Sequence, residues 1–95
     1  MSAAEIGPET TLRRADRAVH GELPEETVLL DLEDKVAVRL NRTGAWLWER
    51  LERPATVAEL ASELASEFEI DVDRALADVE TFAADLAGRS LLETT

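Results

Sequence analysis

Residues 40–51 read LNRTGAWLWERL and contain both tryptophans of the chain, Trp46 and Trp48. On an α-helix, residues two apart point about 200° away from each other, so the two rings cannot both face one core. An i, i+3, i+4, i+7 stripe joins Gly44, Leu47, Trp48 and Leu51, which predicts that Trp48 is largely buried. Trp46 is expected either to lie half exposed on the helix or to contact a partner.

Three helices are predicted from residue 41 onward. Asn41 has the side chain of an N-cap for the first helix, which Pro54 ends. Residues 56–59 (TVAE) form a capping box that begins the second helix, because the hydroxyl and the carboxylate each accept a bond from a free backbone NH. A third helix is expected over 71–87, with Asp71 as its N-cap and Gly88 as the residue that follows it.

Three short segments precede the helices, at 17–23, 27–32 and 35–40, and polar turns separate them. Their period-2 alternation predicts an antiparallel meander. The expected apolar sides are Val28, Leu30 and Leu32 on the second strand and Val36, Val38 and Leu40 on the third. The element order predicts an α+β, winged-helix-like fold in which a three-stranded antiparallel sheet is followed by three helices.

The 95 residues are enough for one small domain, expected over residues 16–95 after a flexible N-terminal tail at 1–15. The chain has no cysteine, which excludes disulfides and thiolate chemistry and suits a reducing cytosol. No apolar run approaches the roughly 18 residues of a membrane span, and the first residues do not resemble a secretory signal. We therefore expect a cytoplasmic protein with no membrane partner.

The net charge of −11 comes from 21 acidic and 10 basic residues. A protein that binds nucleic acid is expected to present a basic face, so this charge argues against a nucleic-acid partner and favours basic or neutral ones. Solubility alone is the simpler interpretation of the charge. A winged-helix regulator that binds DNA stays open as an alternative that the fold would permit and the charge opposes.

Catalytic chemistry finds little support in the residue types. His20 is the only histidine, and a lone histidine forms neither a catalytic triad nor a metal site. The chain has no glycine-rich phosphate loop, and no acid is spaced with a nucleophile or a base in a recognisable way. We therefore predict that the protein is not an enzyme and uses no metal or cofactor.

Binding is the function that remains. The strand at 35–40 would be a sheet edge and thus a template for another extended chain, unless Lys35 and Arg39 blunt it. On the third helix, a central stripe of Val72, Leu76, Val79, Ala83 and Leu86 is widened on one flank by Ala75 and Phe82. Phe82 lies at the rim of this arc, where an aromatic ring either closes the core or lines a groove.

The opening stretch resembles the Leu-Asn-x-Thr-Gly helix start of the PqqD-like proteins, which carry a tryptophan four residues past the glycine. TVAEL at 56–60 is similar to their second helix, and DVETFAADLAGRSLL at 78–92 is similar to their third helix and end. VLLDLEDKVAVRLN at 28–41 resembles their second and third strands. The resemblance covers about residues 17–93. Ser90 departs from it, because many members have glycine there.

The resemblance implies a non-catalytic element that recognises the leader region of ribosomally made, post-translationally modified peptides. In such proteins the leader adds as a strand to the third strand and lies beside the third helix, and a separate enzyme modifies the peptide. Carried over, the peptide-binding residues are Lys35, Val36, Ala37, Val38, Arg39, Leu40, Ala75, Asp78, Phe82 and Asp85. Acids at the groove rim should favour basic residues in the leader.

Within this family, the length and the 78–92 stretch look most like the standalone proteins of lasso-peptide pathways, which work with a leader peptidase and a cyclase. The resemblance leaves two alternatives open, namely the peptide chaperones of PQQ and of mycofactocin pathways, which serve radical enzymes. In each case the implied partners are a leader peptide and a modifying enzyme.

Overall fold

A computed structural model describes residues 6–23 and 26–95. Its elements are β1 Thr11–Arg14, β2 Ala18–Leu23, β3 Glu26–Asp31, β4 Val36–Leu40, α1 Arg42–Arg50, β5 Ala55–Thr56, α2 Val57–Phe68, α3 Val72–Gly88 and β6 Leu92–Thr94. The fold is α+β, with three helices and two antiparallel sheets of three strands each among these residues. None of the described helices combines the length and the apolar character needed to cross a bilayer.

The predicted meander is confirmed as a sheet with strand order β2-β3-β4. Of the apolar side expected on β3, Val28 is buried, but the prediction is wrong for Leu30 and Leu32, which are 41% and 52% exposed, while Leu29 is fully buried. The register explains the difference, since Leu29 pairs with Val38 and shares its face. The run VLL at 28–30 has no alternation of its own, so the sequence could not decide which leucine faces the core.

The second sheet has the order β5-β1-β6 and was not predicted. β1 lies between two strands and its Leu12 is fully buried, so the prediction of a flexible tail through residue 15 is wrong for residues 11–14. β1 pairs with residues 55–56 and 92–94. The sequence around β1 contains no pattern that predicts such distant partners. Residues 1–5 of the expected tail lie outside the described residues.

Two of the three predicted helix starts are confirmed in detail. The Asn41 side chain accepts a hydrogen bond from the backbone NH of Gly44 at 2.7 Å. In the capping box, the NH of Thr56 donates to Glu59 Oε1 at 2.9 Å and the NH of Glu59 donates to Thr56 Oγ1 at 3.1 Å. Asp71 occupies the N-cap position of α3 but makes no side-chain capping bond.

The end of α3 differs from the prediction. Gly88 is the last residue of the helix instead of the residue after it. The left-handed conformation falls on Ser90, whose φ is 63°. Leu91 and Leu92 then return to the core, as expected, and Leu92 begins β6.

The helices pack on a core that contains Trp48, which is 1% exposed and thus buried as predicted. Trp46 is half-buried and packs edge-to-face on Phe68, with ring centroids 6.0 Å apart. The buried stripe of α3 consists of Ala75, Val79, Ala83 and Leu86. Val72, expected at the centre of that stripe, is 54% exposed, because Ala75 takes the core position in the first turn.

Candidate functional site

β4 is an edge strand among the described residues, since β3 is its only partner there. Val36 and Ala37 are exposed, and Val38 and Leu40 are half-buried against the core. Lys35 was predicted to belong to this strand, but it lies in the turn before it with φ at 60°. The strand that is open to pairing therefore runs over residues 36–40.

The β3–β4 turn is held by a buried carboxylate. Asp31 is 3% exposed and accepts from Arg17 Nε at 3.0 Å and from Arg17 Nη2 at 3.2 Å. The same carboxylate accepts from the backbone NH groups of Glu33 at 3.0 Å and Asp34 at 3.2 Å. The hydrogen bond from Arg17, with help from the two backbone donors, lowers the pKa of Asp31 below its usual range. An ionised Asp31 thus fixes the position at which β4 begins.

A groove of about 570 Å³ opens where β4 ends. The end of the strand, the first turn of α1 and one face of α3 surround it, through Arg39, Leu40, Asn41, Thr43, Gly44, Leu47, Arg74, Asp78, Thr81, Phe82, Asp85 and Leu86. Phe82 is half-buried and reaches the first turn of α1, since a Cβ built on Gly44 would lie 3.6 Å from Phe82 Cδ1. The absence of a side chain at Gly44 therefore leaves room beside the ring.

Two acidic side chains line the α3 side of the groove. Asp85 lies 3.1 Å from Arg89 Nε, one turn further along the helix. Asp78 lies 3.9 Å from Arg74 Nε, which is beyond hydrogen-bonding distance. Asp85 is the more exposed of the two side chains, at 56% against 39%, but Asp78 is the less tightly paired carboxylate and is in that sense the more available to a basic group.

Apart from Lys35, which lies in the turn, the structure sorts the predicted site residues into three groups. Arg39, Leu40, Asp78, Phe82 and Asp85 line the groove together, whereas Val36, Ala37 and Val38 form the strand edge that leads to it. Ala75 does not reach the groove, because its side chain is fully buried under α3. Its assignment to the groove wall is therefore wrong.

Sequence reasoning missed the contribution of α1. Asn41, Thr43 and Gly44 line the groove, and the Asn41 side chain also caps the helix. A signal was available, since Asn41 directly follows β4, and the first turn of α1 must therefore lie at the end of that strand. The sequence did not show that Thr81 and Arg74 of α3 would face the same space.

The part of the chain that the structure describes shows no candidate metal site beside the groove. Among the described residues, no group of three or more His, Asp or Glu side chains is placed to hold a metal ion. His20 lies half-buried on β2, on the sheet face that packs on the core. The strand edge and the groove at its end therefore make up the candidate site.

Comparisons with known proteins agree with this geometry. The family model described as coenzyme PQQ synthesis protein D (PqqD) matches residues 26–92. No curated protein sequence matches. A structure titled TbiB1 in complex with the TbiA(beta) leader peptide is similar over 85% of this chain and 94% of that one, with 27% identity and a TM-score of 0.77.

The tRNA-dependent lantibiotic dehydratase MibB from Microbispora sp. 107891 contains a similar unit. The similarity covers 90% of this chain and 8% of the dehydratase chain, with 25% identity and a TM-score of 0.62. The fold described above therefore occurs both in a small protein solved with a leader peptide and as a small part of a large enzyme.

Proposed function

The chain belongs to the PqqD family, and from that premise we propose that it binds the leader region of a ribosomally made precursor peptide and delivers it to a modifying enzyme. The observation that carries the proposal is the open edge of β4 beside a groove walled by α3. The similar structure of TbiB1 is titled as a complex with a leader peptide, which supports the same ligand class here.

The proposed binding mode is addition of the leader as a fourth strand along β4. Backbone groups of Val36 to Leu40 form the ladder, and alternate leader side chains point to the two sides of the sheet. Val36, Val38 and Leu40 share the core-facing side, so leader side chains on that side enter the groove next to Phe82. Lys35 lies in the turn and would contact only the end of an added strand.

The acidic side chains at the groove support a preference for basic residues in the leader. Asp78 and Asp85 border the groove, and Asp78 is only loosely paired. A lysine or arginine on the groove side of the leader would gain a carboxylate partner there. Because these side chains are partly exposed, the preference should be modest and should weaken as salt is added.

The recipient of the bound peptide is proposed to be a separate enzyme, and the chain itself is proposed to be non-catalytic. The resemblance of the 78–92 stretch favours a lasso-peptide leader peptidase or cyclase, in the cytoplasm. A radical enzyme of a PQQ or mycofactocin type of pathway is the alternative. The dehydratase neighbour supports an enzyme partner in general but does not choose among these.

Binding is tested by fluorescence anisotropy with the labelled leader region of a precursor peptide found in the same genome. Phe82→Ala should weaken binding by about 10- to 100-fold, because a buried aromatic side chain contributes about 1.5–3 kcal/mol. Phe68→Ala is the matched control, since Phe68 is also half-buried but packs on Trp46 away from the groove. It should leave the affinity within about twofold of wild type.

Two results would contradict the proposal at different levels. If wild type fails to bind the leader at tens of micromolar, leader recognition is wrong. If Phe82→Ala binds as tightly as wild type, the groove is not the site. Leaders with single N-methylated peptide bonds test strand addition, because losing alternate NH donors should weaken binding at every second position.

A further inference from the structure

The face of the β2-β3-β4 sheet that turns away from the core carries an apolar row. Val19 on β2 pairs with Leu30 on β3, and Leu30 pairs with Ala37 on β4, so the three side chains lie side by side. Val19 and Leu30 are 40% and 41% exposed, and Ala37 is exposed as well. Leu32, two residues after Leu30, lies in the turn that follows β3 and is 52% exposed. We call these four residues the outer row.

Exposed aliphatic residues are concentrated here. Five large hydrophobic residues are exposed in the described part of the chain, and Val19, Leu30 and Leu32 of the outer row are three of them. Single exposed hydrophobic residues are normal on a protein surface, but a contiguous group marks an interaction surface. The outer row is such a group, and it lies on the sheet face opposite the one that packs on the core.

The row ends at the edge where the leader is proposed to add. A strand paired with β4 would place one side chain directly beside Ala37 on the outer face, with Cβ atoms about 4.5–5.5 Å apart. The surface would then run across four strands, the fourth of them supplied by the peptide. A protein that acts on the bound peptide would meet the chain and the peptide on one continuous surface.

Charge distinguishes the two possible occupants of this surface, a second copy of this chain and a different protein. Glu33 and Asp34 lie at the turn, 3.6 and 3.2 Å from Arg17, and Glu26 lies at the other end of β3, 2.9 Å from Arg39 Nε. These three carboxylates outnumber the two arginines that pair with them. A second copy would bring the same carboxylates and another net charge of −11 to the contact. A partner with an apolar patch bordered by lysine and arginine complements both features.

We propose that the outer row, extended by the bound leader, is the docking surface for the modifying enzyme. This inference rests on the proposed function for its fourth strand. It also identifies the enzyme's contact region by its chemistry, as an apolar patch with a basic rim. Leader and enzyme are then positively coupled, because each presents part of the other's binding surface.

The test measures leader binding and enzyme binding separately. The probe is the purified modifying enzyme encoded beside the precursor peptide, and its affinity for this chain is measured by biolayer interferometry with and without saturating leader. Val19→Thr combined with Leu30→Thr removes the apolar contact and places a β-branched residue, which suits a strand, at both positions. Val72→Thr is the matched control, because Val72 is a similarly exposed aliphatic residue on α3.

We expect the double variant to lose at least tenfold in affinity for the enzyme and to keep its leader affinity. The control should change neither value, and leader should strengthen enzyme binding to wild type. A leader with aspartate at the position facing Ala37 should weaken enzyme binding without weakening its own binding to the chain. This last measurement uses the wild-type chain and does not depend on the folding of a variant.

Three results would overturn the docking surface. They are an enzyme that does not bind wild type, equal enzyme affinity for wild type and the double variant, and a homodimer seen by light scattering that the double variant dissolves. A chain that binds no leader contradicts the proposed function instead. In that case, enzyme binding to the peptide-free chain still tests the three strands of the row.

Discussion

Two helical glycines with opposite surroundings allow a quantitative test of how α1 is built. A Cβ placed on Gly44 would lie 3.1 Å from Asn41 Oδ1, the atom that caps the helix, and 3.6 Å from Leu40 Cδ2 and from Phe82 Cδ1. A Cβ placed on Gly88 meets nothing within 4 Å. Alanine stabilises a helix relative to glycine by about 0.5–1 kcal/mol, so Gly88→Ala should stabilise the protein by about 0.5 kcal/mol at this last helical position.

Gly44→Ala adds the same preference but disturbs the cap. The 3.1 Å contact forces Asn41 Oδ1 away from the NH that it accepts from at 2.7 Å. A side-chain cap contributes about 1 kcal/mol, so the gain is cancelled and the free energy of unfolding should fall by about 0–1 kcal/mol. The two variants should therefore differ by about 1 kcal/mol in urea unfolding followed by tryptophan fluorescence.

Asn41→Ala identifies the cause of this difference. Without the Asn41 oxygen, nothing is left to clash within 3.4 Å, and Gly44→Ala should stabilise the chain by about 0.5–1 kcal/mol in that background. The cycle should thus show a coupling of about 1 kcal/mol between positions 41 and 44. If Gly44→Ala stabilises wild type as much as Gly88→Ala does, the reasoning from the close contact is refuted.

Three further variants test other parts of the structure. Ser90→Gly should stabilise the protein by up to about 1 kcal/mol in urea unfolding, because the left-handed φ of 63° disfavours a side chain. Asp31→Asn should flatten the loss of stability in acid. Because its pKa is lowered in the folded state, Asp31 stabilises the fold above its unfolded pKa of about 4 and loses that effect as the pH falls through the folded pKa. Urea midpoints between about pH 3 and pH 7 will show the difference between the variant and wild type. Trp48→Ala should cost about 3–5 kcal/mol, and Trp46→Ala less than half as much, since only the Trp48 ring is fully buried.

Local signals predicted the helices well, and the structure explains why. The Asn41 cap and the TVAE capping box are complete within four residues, so their physics does not depend on the rest of the fold. Asp71 carries the same kind of signal but makes no side-chain capping bond. A local signal thus predicts where a helix begins more reliably than it predicts which atoms satisfy the free NH groups.

Long-range pairing was the part that could not be predicted. β1 is four residues long, and its partners lie about 40 and 80 positions further along the chain. Its sequence, TLRR, has one apolar residue and no alternation to suggest a strand. Only the packed structure shows that Leu12 completes the core, which is why a tail was expected there.

The candidate site was predictable to the extent that its residues lie on one element. Asp78, Phe82 and Asp85 follow each other at helical spacing and do line one groove. Ala75 is also at helical spacing from Phe82, but it points a few tens of degrees closer to the core. Because alanine is small, the sequence pattern does not reveal that difference in direction. The groove residues on α1 depend on the direction in which that helix leaves β4. The periodicity of the sequence does not predict this direction.

An open strand edge is normally a risk for self-association, and the charges around β4 explain how this chain tolerates one. Two copies pairing edge to edge would bring together two chains of net charge −11 and would place Arg39 of each copy in a shared ladder. Both the overall repulsion and the local one oppose that contact. A short peptide need not carry such a net charge, so the proposed strand addition would meet less repulsion. The acidic composition, which at first indicated only solubility, thereby becomes part of how a free edge can be kept for a peptide instead of a second copy.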